Sequence, residues 1–236
     1  MDNSVRILST RPLDAALIGH AAEKGIVIDV LPFINTQRVK DEALVRQVRE
    51  LAGIALTAVF TSTNAVEAVA EILGATQPVN WKVFCIGAVT RQLVEKYFGE
   101  ASVAGVALAA SALADVILHQ TTSGVFFFCG DQRRDELPDK LSAAGVRVNE
   151  CVVYRTLRTP QVITGQYNGI AFFSPSAVES FFSVNTVGSE TLLFAIGQTT
   201  ARSIRIHAKG NPVITGNVPD KETLVQQMID YFQKHI

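Results

Sequence analysis

The chain has 236 residues, 48% of them hydrophobic, so it is long enough to bury one large core or two small ones and lacks the composition of a disordered protein. Its formal net charge is -1 and its charged fraction is 18%, which excludes the global basic field that attracts nucleic acid or anionic membranes. The 3 cysteines are odd in number and lack a C-x-x-C spacing, which favours buried thiols in a reducing compartment over a structural disulfide.

The amino terminus indicates a cytoplasmic protein. Residues Met1 to Ser4 lead into a strand pattern without the basic region and long apolar stretch of a signal peptide. No apolar run reaches the roughly 20 residues that a membrane helix needs. We therefore expect a cytoplasmic location, with neither nucleic acid nor a membrane as a partner.

From the amino end, short apolar runs alternate with helical patterns. The first half predicts strands at 5–9, 26–33, 54–60, 83–86 and 102–107, and helices over 12–24 and from near Asn64, Ala88 and Ser111. The second half predicts strands at 125–129, 146–154, 170–173, 192–196 and 212–214, and helices over 133–144 and from near Ser176, Gln198 and Asp220. This alternation predicts an α/β fold of parallel sheets covered by helices on both faces.

Two of the strand ends are repeated along the chain. Segment 61–67, TSTNAVE, returns 112 positions later as FSPSAVE, and segment 84–90, FCIGAVT, returns 110 positions later as FAIGQTT. Each apolar run predicts a buried parallel strand, and the small residues after it predict the start of a helix whose free backbone amides attract anions. Two such edges predict a two-lobed anion site.

Polar segments interrupt the chain at equivalent points of the repeat. Segments 35–40 and 155–161 each follow an apolar strand and have the composition of connectors. A crossing at each would give a discontinuous first domain, 1–35 and 160–236, a second domain, 40–153, and linkers 36–39 and 154–159. Two consecutive halves divided near Gln120 are equally compatible with the spacing, which does not decide between them.

Ser62 and Ser174 are the first candidates for ligand binding. They lie at the carboxyl ends of predicted strands, where open parallel sheets bind ligands. Immediately after them are two patterns that helix capping explains without any ligand, because a capping box satisfies two backbone amides. These capping boxes are Asn64 with Glu67 and Ser176 with Glu179.

Thr90 and Thr200 occupy a repeated Gly-x-x-Thr pattern. Glycine permits a close approach to the backbone, and a threonine in the first helical turn adds a hydroxyl beside outward-pointing amides. Either pattern alone is typical of a tight turn between strand and helix. Its occurrence in both halves, together with Ser62 and Ser174, favours anion binding.

Four arginines lie near predicted helix starts, where a guanidinium can bind a carboxylate with two hydrogen bonds. We favour Arg11, which directly follows the first strand, and expect Arg91 and Arg202 to be solvated; the fourth is Arg134. No spacing of histidines or cysteines predicts a metal site, and no dinucleotide, P-loop or serine-hydrolase motif is present. We therefore expect neither a metal nor a cofactor.

Tyr154 ends an apolar run immediately before the second polar segment. Half-buried packing explains a tyrosine at such a position. Its equivalent in the first half is Ile34, however, and an apolar residue would pack equally well. The hydroxyl at only one of the two connectors therefore requires an explanation.

Together these residues resemble the uroporphyrinogen-III synthase family, and the resemblance spans the chain. Each motif is degenerate, whereas their order and spacing are more specific. The matching segments are STRP at 9–12, FTS at 60–62 with AV at 65–66, IG at 86–87 with Thr90, Gly130 with RDEL at 134–137, VYRT at 153–156, FSPSAV at 173–178 and IGQTTA at 196–201.

The resemblance implies two α/β lobes, each with a parallel sheet flanked by helices, joined by a two-stranded linker with a cleft between them. It favours the discontinuous first domain. It also implies an enzyme that cyclises the linear tetrapyrrole hydroxymethylbilane to uroporphyrinogen III, with inversion of the last pyrrole ring, loss of water and no cofactor.

The resemblance further implies a catalytic role for Tyr154, and a monomer suffices. The residues it implies for substrate binding are Ser62, Thr90, Ser174, Ser176 and Thr200. With Arg11, Arg134 and Thr199 they form the predicted set of binding residues. The alternative from another class is a non-catalytic two-lobed receptor, or a regulatory domain, that binds a small polyanion. A receptor has no use for a proton donor at Tyr154.

Overall fold

The computed structural model describes residues 4–74, 79–120, 124–208 and 210–235. Residues 1–3, on which part of the signal-peptide prediction rests, lie outside the described residues. The chain divides into two compact units, and we describe each by itself. Unit 1 comprises Met1–Asn35 and Leu157–Ile236, and unit 2 comprises Thr36–Thr156.

The helices and strands alternate along both units. The strands are β1 (Val5–Ser9), β2 (Ile26–Val30), β3 (Ile34–Arg38), β4 (Leu56–Phe60), β5 (Trp81–Ile86), β6 (Val103–Ala107), β7 (Val125–Gly130), β8 (Val148–Arg158), β9 (Gly169–Phe172), β10 (Leu192–Ala195) and β11 (Val213–Thr215). The α-helices are α1 (Ala15–Glu23), α2 (Glu42–Ala52), α3 (Thr63–Leu73), α4 (Ala88–Phe98), α5 (Ala110–Leu118), α6 (Glu136–Ala143), α7 (Pro175–Phe182), α8 (Gln198–His207) and α9 (Lys221–His235).

Unit 1 is a five-stranded sheet in the order β11-β10-β9-β1-β2, in which every pair is parallel. Side chains of successive strand residues pack into different cores, because they alternate across the sheet. Ile7 packs with α1 and α9, whereas Leu8 packs with α7 and α8. Both faces are therefore buried, which explains why these strands are apolar at almost every position.

Unit 2 is a six-stranded sheet in the order β3-β8-β7-β4-β5-β6. The strands from β8 to β6 pair in parallel. Helices α2, α3 and α4 cover one face through a core that includes Phe60 and Val69, and α5 and α6 cover the other through Leu113 and Leu137. The predicted class of parallel sheets flanked by helices is confirmed.

The two polar segments expected to be connectors belong largely to strands. β3 and β8 each pass from one unit to the other, and they pair side by side. The amide of Val39 donates to the carbonyl of Val153, and the amide of Thr159 donates to that of Phe33, so the two strands run antiparallel. Backbone hydrogen bonds, which do not depend on side-chain polarity, stabilise these strands.

The predicted capping boxes are wrong. α3 and α7 begin one residue earlier than predicted, because the hydroxyls of Ser62 and Ser174 accept hydrogen bonds from backbone amides three residues ahead, at 3.3 and 3.2 Å. The glutamates bind arginines instead. Glu67 pairs with Arg38 at the end of β3, and Glu179 pairs with Arg158 at the end of β8.

One helix, α2, was not predicted from the sequence. The carboxylate of Asp41 caps it by accepting hydrogen bonds from two amides of the first turn. Its buried residues, Val48, Leu51 and Ala52, follow a helical spacing. Within the described parts of the chain, no helix combines the length and apolar character needed to cross a membrane.

Candidate active site

The unit 2 sheet brings four predicted site residues to its carboxyl edge. β4, β5 and β7 end at a similar level, because Phe60 lies opposite both Cys85 and Phe128. Ser62 follows β4, Thr90 lies in the first turn of α4 after β5, and Arg134 follows β7. Tyr154 lies opposite Gly130, the last residue of β7. Ligands bind at this edge in open parallel sheets.

Tyr154 and Ser62 form the central contact at this edge. The two hydroxyl oxygens lie 3.1 Å apart, within hydrogen-bonding distance. Ser62 Oγ also accepts a hydrogen bond from the amide of Ala65, which leaves it able to accept the phenol proton as well. The cap of α3 therefore fixes the position of the Tyr154 hydroxyl.

The environment of Tyr154 keeps its phenol neutral. Burial raises the pKa of Tyr154 above its ordinary value, and the hydrogen bond with Ser62 only partly opposes this effect. At neutral pH the group is therefore protonated and can donate a proton or a hydrogen bond. None of the described groups that shift this pKa is a cation. An ionised phenol there would therefore be desolvated and would lack a compensating charge.

The three cysteines lie in the hydrophobic cores of unit 2. All are buried and free, and burial raises the pKa of Cys85 and of Cys151 to about 11 and that of Cys129 to about 12. Their thiols are neutral at physiological pH, whereas nucleophiles and metal ligands are thiolates. Among the described residues no cluster of three or more His, Cys, Asp or Glu side chains could hold a metal ion.

The unit 1 sheet brings the remaining predicted residues to its own carboxyl edge. β1, β9 and β10 end at a similar level, since Ser9 lies opposite Ala171 and Ala195 lies opposite Phe172. Loops and helix starts follow each of these strand ends. They carry Arg11 after β1, Ser174 and Ser176 after β9, and Thr199 and Thr200 after β10.

The starts of α4 and α8 present backbone amides without a side-chain cap from any described residue. α4 and α8 both have glycine at the N-cap, Gly87 and Gly197, and neither receives a capping hydrogen bond from a side chain in the described chain. The first amides of such helices carry partial positive charge and bind anions readily. Both helices therefore offer amide donors at the edge of their own sheet.

The hydroxyls at these two helix starts differ in accessibility. Thr90 and Thr200 are only 5% and 2% exposed, because helix phase turns the third residue of each helix towards the core. Thr199, one residue earlier, is exposed. The amides, together with Thr199, are therefore better placed for a ligand than the two buried threonines. Ser176 is half-buried in the first turn of α7.

The predicted arginines differ in whether a carboxylate of the protein pairs with them. Arg91 pairs with Glu95 at 2.6 Å along the surface of α4. Arg11 and Arg134 are exposed, and their guanidinium groups make no ion pair with any described residue. The neighbour of Arg134, Arg133, is held by Asp135 and Glu150. Arg11 and Arg134 are thus available to a carboxylate ligand.

Comparisons with known proteins identify one family. The family model described as uroporphyrinogen-III synthase HemD matches residues 15–226. No curated protein matches the chain in sequence. A mutant uroporphyrinogen III synthase from Thermus thermophilus is similar in structure, with a TM-score of 0.66, 18% identity, and coverage of 99% of this chain and 100% of that one.

Two further solved structures are similar to the chain. Uroporphyrinogen-III synthetase from Helicobacter pylori 26695 has a TM-score of 0.67 and 15% identity over 96% of this chain and 99% of that one. The wild-type Thermus thermophilus enzyme has a TM-score of 0.52 and 20% identity over 98% and 99%. At such identities these likenesses show the fold. Because the family model matches most of its length, the chain belongs to the uroporphyrinogen-III synthase family.

Proposed function

We propose that this protein converts hydroxymethylbilane to uroporphyrinogen III without a cofactor, with loss of water and inversion of the last pyrrole ring. Family membership supports the enzyme class. The observation that carries the proposal is the neutral phenol of Tyr154, held 3.1 Å from Ser62 at the carboxyl edge of a parallel sheet.

The reaction requires a proton donor at the departing hydroxyl. Tyr154 would donate its proton to that oxygen, so that the C–O bond breaks with water as the leaving group and a protonated azafulvene forms beside the phenolate. Attack by the substituted α-carbon of the last pyrrole on this cation gives the spiro intermediate. The bond from that carbon to the preceding methylene bridge then breaks, and the other α-carbon of the same pyrrole closes the ring on the released bridge, which leaves the last pyrrole inverted. The proton lost from carbon during closure restores the phenol, so the net change is loss of one water.

Binding of the substrate carboxylates would be shared among many weak groups. We propose that the amides at the starts of α4 and α8 and the guanidinium groups of Arg11 and Arg134 bind carboxylate arms. The hydroxyl groups proposed to assist them are those of Ser62, Thr90, Ser174, Ser176, Thr199 and Thr200. Such a distributed site needs no strong basic field, which agrees with the net charge of -1.

The proposal includes the organisation of the chain. We propose 1–35 with 160–236 as one domain and 40–153 as the other, linked by 36–39 and 154–159. A monomer in the cytoplasm suffices for the activity. The three free, buried cysteines are compatible with a reducing compartment.

The decisive experiment follows the isomer that forms. Purified protein is incubated with hydroxymethylbilane, and the products are oxidised and separated into type I and type III porphyrins. We expect type III to predominate with the protein and type I to form without it. Type I alone in both samples would refute the proposed function and leave the polyanion receptor as the remaining candidate.

Replacing Gly197 with alanine tests the amides of α8. The backbone of Gly197 is extended at φ -174, which any residue adopts, and a Cβ there meets no described atom within 4 Å. The fold should tolerate the methyl group, which would occupy space that a ligand needs to reach the amides. We expect KM to rise about 5-fold, equivalent to roughly 1 kcal/mol of helix-terminus binding, with kcat almost unchanged.

Gly19→Ala is the matched control for this substitution. Gly19 lies on the exposed surface of α1, and a Cβ there also meets no described atom within 4 Å. Steady-state kinetics and a thermal melt are measured for both variants. An unchanged KM in Gly197→Ala would remove the start of α8 from the binding site.

A further inference from the structure

A bulge in β8 turns Tyr154 out of the alternation of a regular strand. In the pairing with β7, Cys129 lies opposite Val152 and the next residue, Gly130, lies opposite Tyr154, so Val153 is skipped. Val153 is fully buried in the core beneath α2, α3 and α4, and Tyr154 packs against the same core. Successive residues of a regular strand face opposite sides, so the bulge redirects the tyrosine.

Gly130 supplies the space that the redirected phenol occupies. A Cβ built on Gly130 would lie 2.5 Å from Cζ, 2.6 Å from Cε2 and 2.8 Å from the hydroxyl oxygen of Tyr154. All three distances are shorter than real Cβ contacts allow. The φ angle of Gly130 is not positive, so its backbone conformation does not require glycine. Glycine is required here because any larger side chain would collide with the ring of Tyr154.

Asp131 binds the backbone of β8 immediately after the bulge. Its amide donates to the carbonyl of Tyr154 at 3.2 Å, and its Oδ1 accepts from the amide of Thr156 at 2.9 Å. These two hydrogen bonds flank Arg155, the residue after Tyr154. The carboxylate is exposed, so it is placed to organise the backbone without filling the core.

We propose that Gly130 and Asp131 are positioning residues for Tyr154, acting through the β8 bulge to hold the phenol against Ser62. The inference rests on the proposed function, because it assumes that Tyr154 donates the proton. It adds that the end of β7 determines where the proton is delivered. Ser62 fixes the hydroxyl from one side, and the absent side chain of Gly130 leaves room for the ring from the other.

The test is a double-mutant cycle between Gly130 and Tyr154. Gly130→Ala must push the ring away by roughly 1 Å, a displacement that can cost about 10²-fold in rate. We expect kcat to fall about 10²-fold and KM to change little. The double variant Gly130→Ala/Tyr154→Phe should have the same kcat as Tyr154→Phe alone, because no hydroxyl remains to be misplaced. Gly19→Ala controls for an added methyl group.

Substitution of Asp131 tests the same proposal without adding an atom to the core. Asp131→Ala removes the acceptor for the Thr156 amide. We expect kcat to fall about 10-fold, less than the 10²-fold that a displacement of about 1 Å can cost. The same substitution should leave kcat unchanged when it is added to Tyr154→Phe. Asp131→Asn retains an oxygen at the same place and should restore most of the rate. This pair decides the question if Gly130→Ala does not fold.

The outcomes separate this inference from the function on which it rests. If Tyr154→Phe lowers kcat but neither Gly130→Ala nor Asp131→Ala does, the positioning role is wrong and the proposed function stands. Equal losses with and without the Tyr154→Phe substitution would show a general structural effect and also overturn the positioning role. If the wild-type protein forms no type III isomer, the proposed function itself fails.

Discussion

Tyr154→Phe is expected to lower turnover by about 10²-fold or more, within the range by which general acid catalysis accelerates reactions. The phenylalanine ring would keep the packing of Tyr154 against the unit 2 core, so the fold should remain intact. Only the hydroxyl, and with it the contact to Ser62, is lost. Because burial raises the phenol pKa above its ordinary value near 10, the missing group is a proton donor throughout the physiological range.

Tyr97→Phe is the control for this variant. Tyr97 is 41% exposed in the last turn of α4, at the opposite end of that helix from its start at the sheet edge, and its hydroxyl has no hydrogen bond within the described chain. Both variants are compared with wild type by initial rates of uroporphyrinogen III formation and by circular dichroism. A folded Tyr154→Phe protein with near-normal turnover would exclude Tyr154 as the proton donor, and a loss in Tyr97→Phe would show that the assay reports something else.

The buried parallel strands were the most predictable part of the fold. The predicted strand 5–9 is β1 as observed, and 125–129 differs from β7 by one residue. Such strands are buried on both faces, so their sequences are continuous apolar runs bounded by small or polar residues. The less predictable strand is β3, which has the sequence INTQR and is mostly exposed. Its pairing with β8 depends on backbone groups, which composition does not reveal.

The sequence of α2 contains the features of a capped amphipathic helix. Asp41 precedes apolar residues at a helical spacing, Leu44, Val48 and Leu51, which is typical of such a helix.

A repeated Arg–Glu pair was not predicted from the sequence. Arg38 returns 120 positions later as Arg158, and their glutamate partners return 112 positions later, so the two ion pairs follow from the same repeat as the helix starts.

The edges of the candidate site were predictable, but the orientation of each side chain was not. Strand ends in a parallel sheet share one edge, which is why Ser62 and Thr90 lie at the same edge of the unit 2 sheet. Which hydroxyl faces solvent depends on the residue at which the helix begins. Gly197 starts α8 so that Thr200 is buried and Thr199 is exposed. The β8 bulge is equally invisible in the sequence, because it is a mismatch between two strands.

An aromatic cluster beneath the Tyr154 edge carries the second large expected effect. Phe128 on β7 is fully buried and stacks against Phe60 and Trp81, with ring centroids 5.1 and 5.4 Å apart. Phe98 of α4 packs on both of these partners. Phe60 is the last residue of β4 and leads directly to the Ser62 cap, so this cluster supports the strand end from which the candidate site is built.

Phe128→Ala is expected to lower the free energy of unfolding by about 3–5 kcal/mol, because strands held in a sheet cannot close the cavity that the ring leaves. That is a large part of the roughly 5–15 kcal/mol that stabilises a folded protein. Chemical denaturation can be followed by the fluorescence of Trp81, the 1 tryptophan in the chain, with circular dichroism as the second probe. Leu108→Ala, at a residue 90% exposed, should change stability by less than about 0.5 kcal/mol. A loss below about 1 kcal/mol in Phe128→Ala would mean that the aromatic cluster does not hold the β4 strand end, since removal of a ring at its centre should cost several times more.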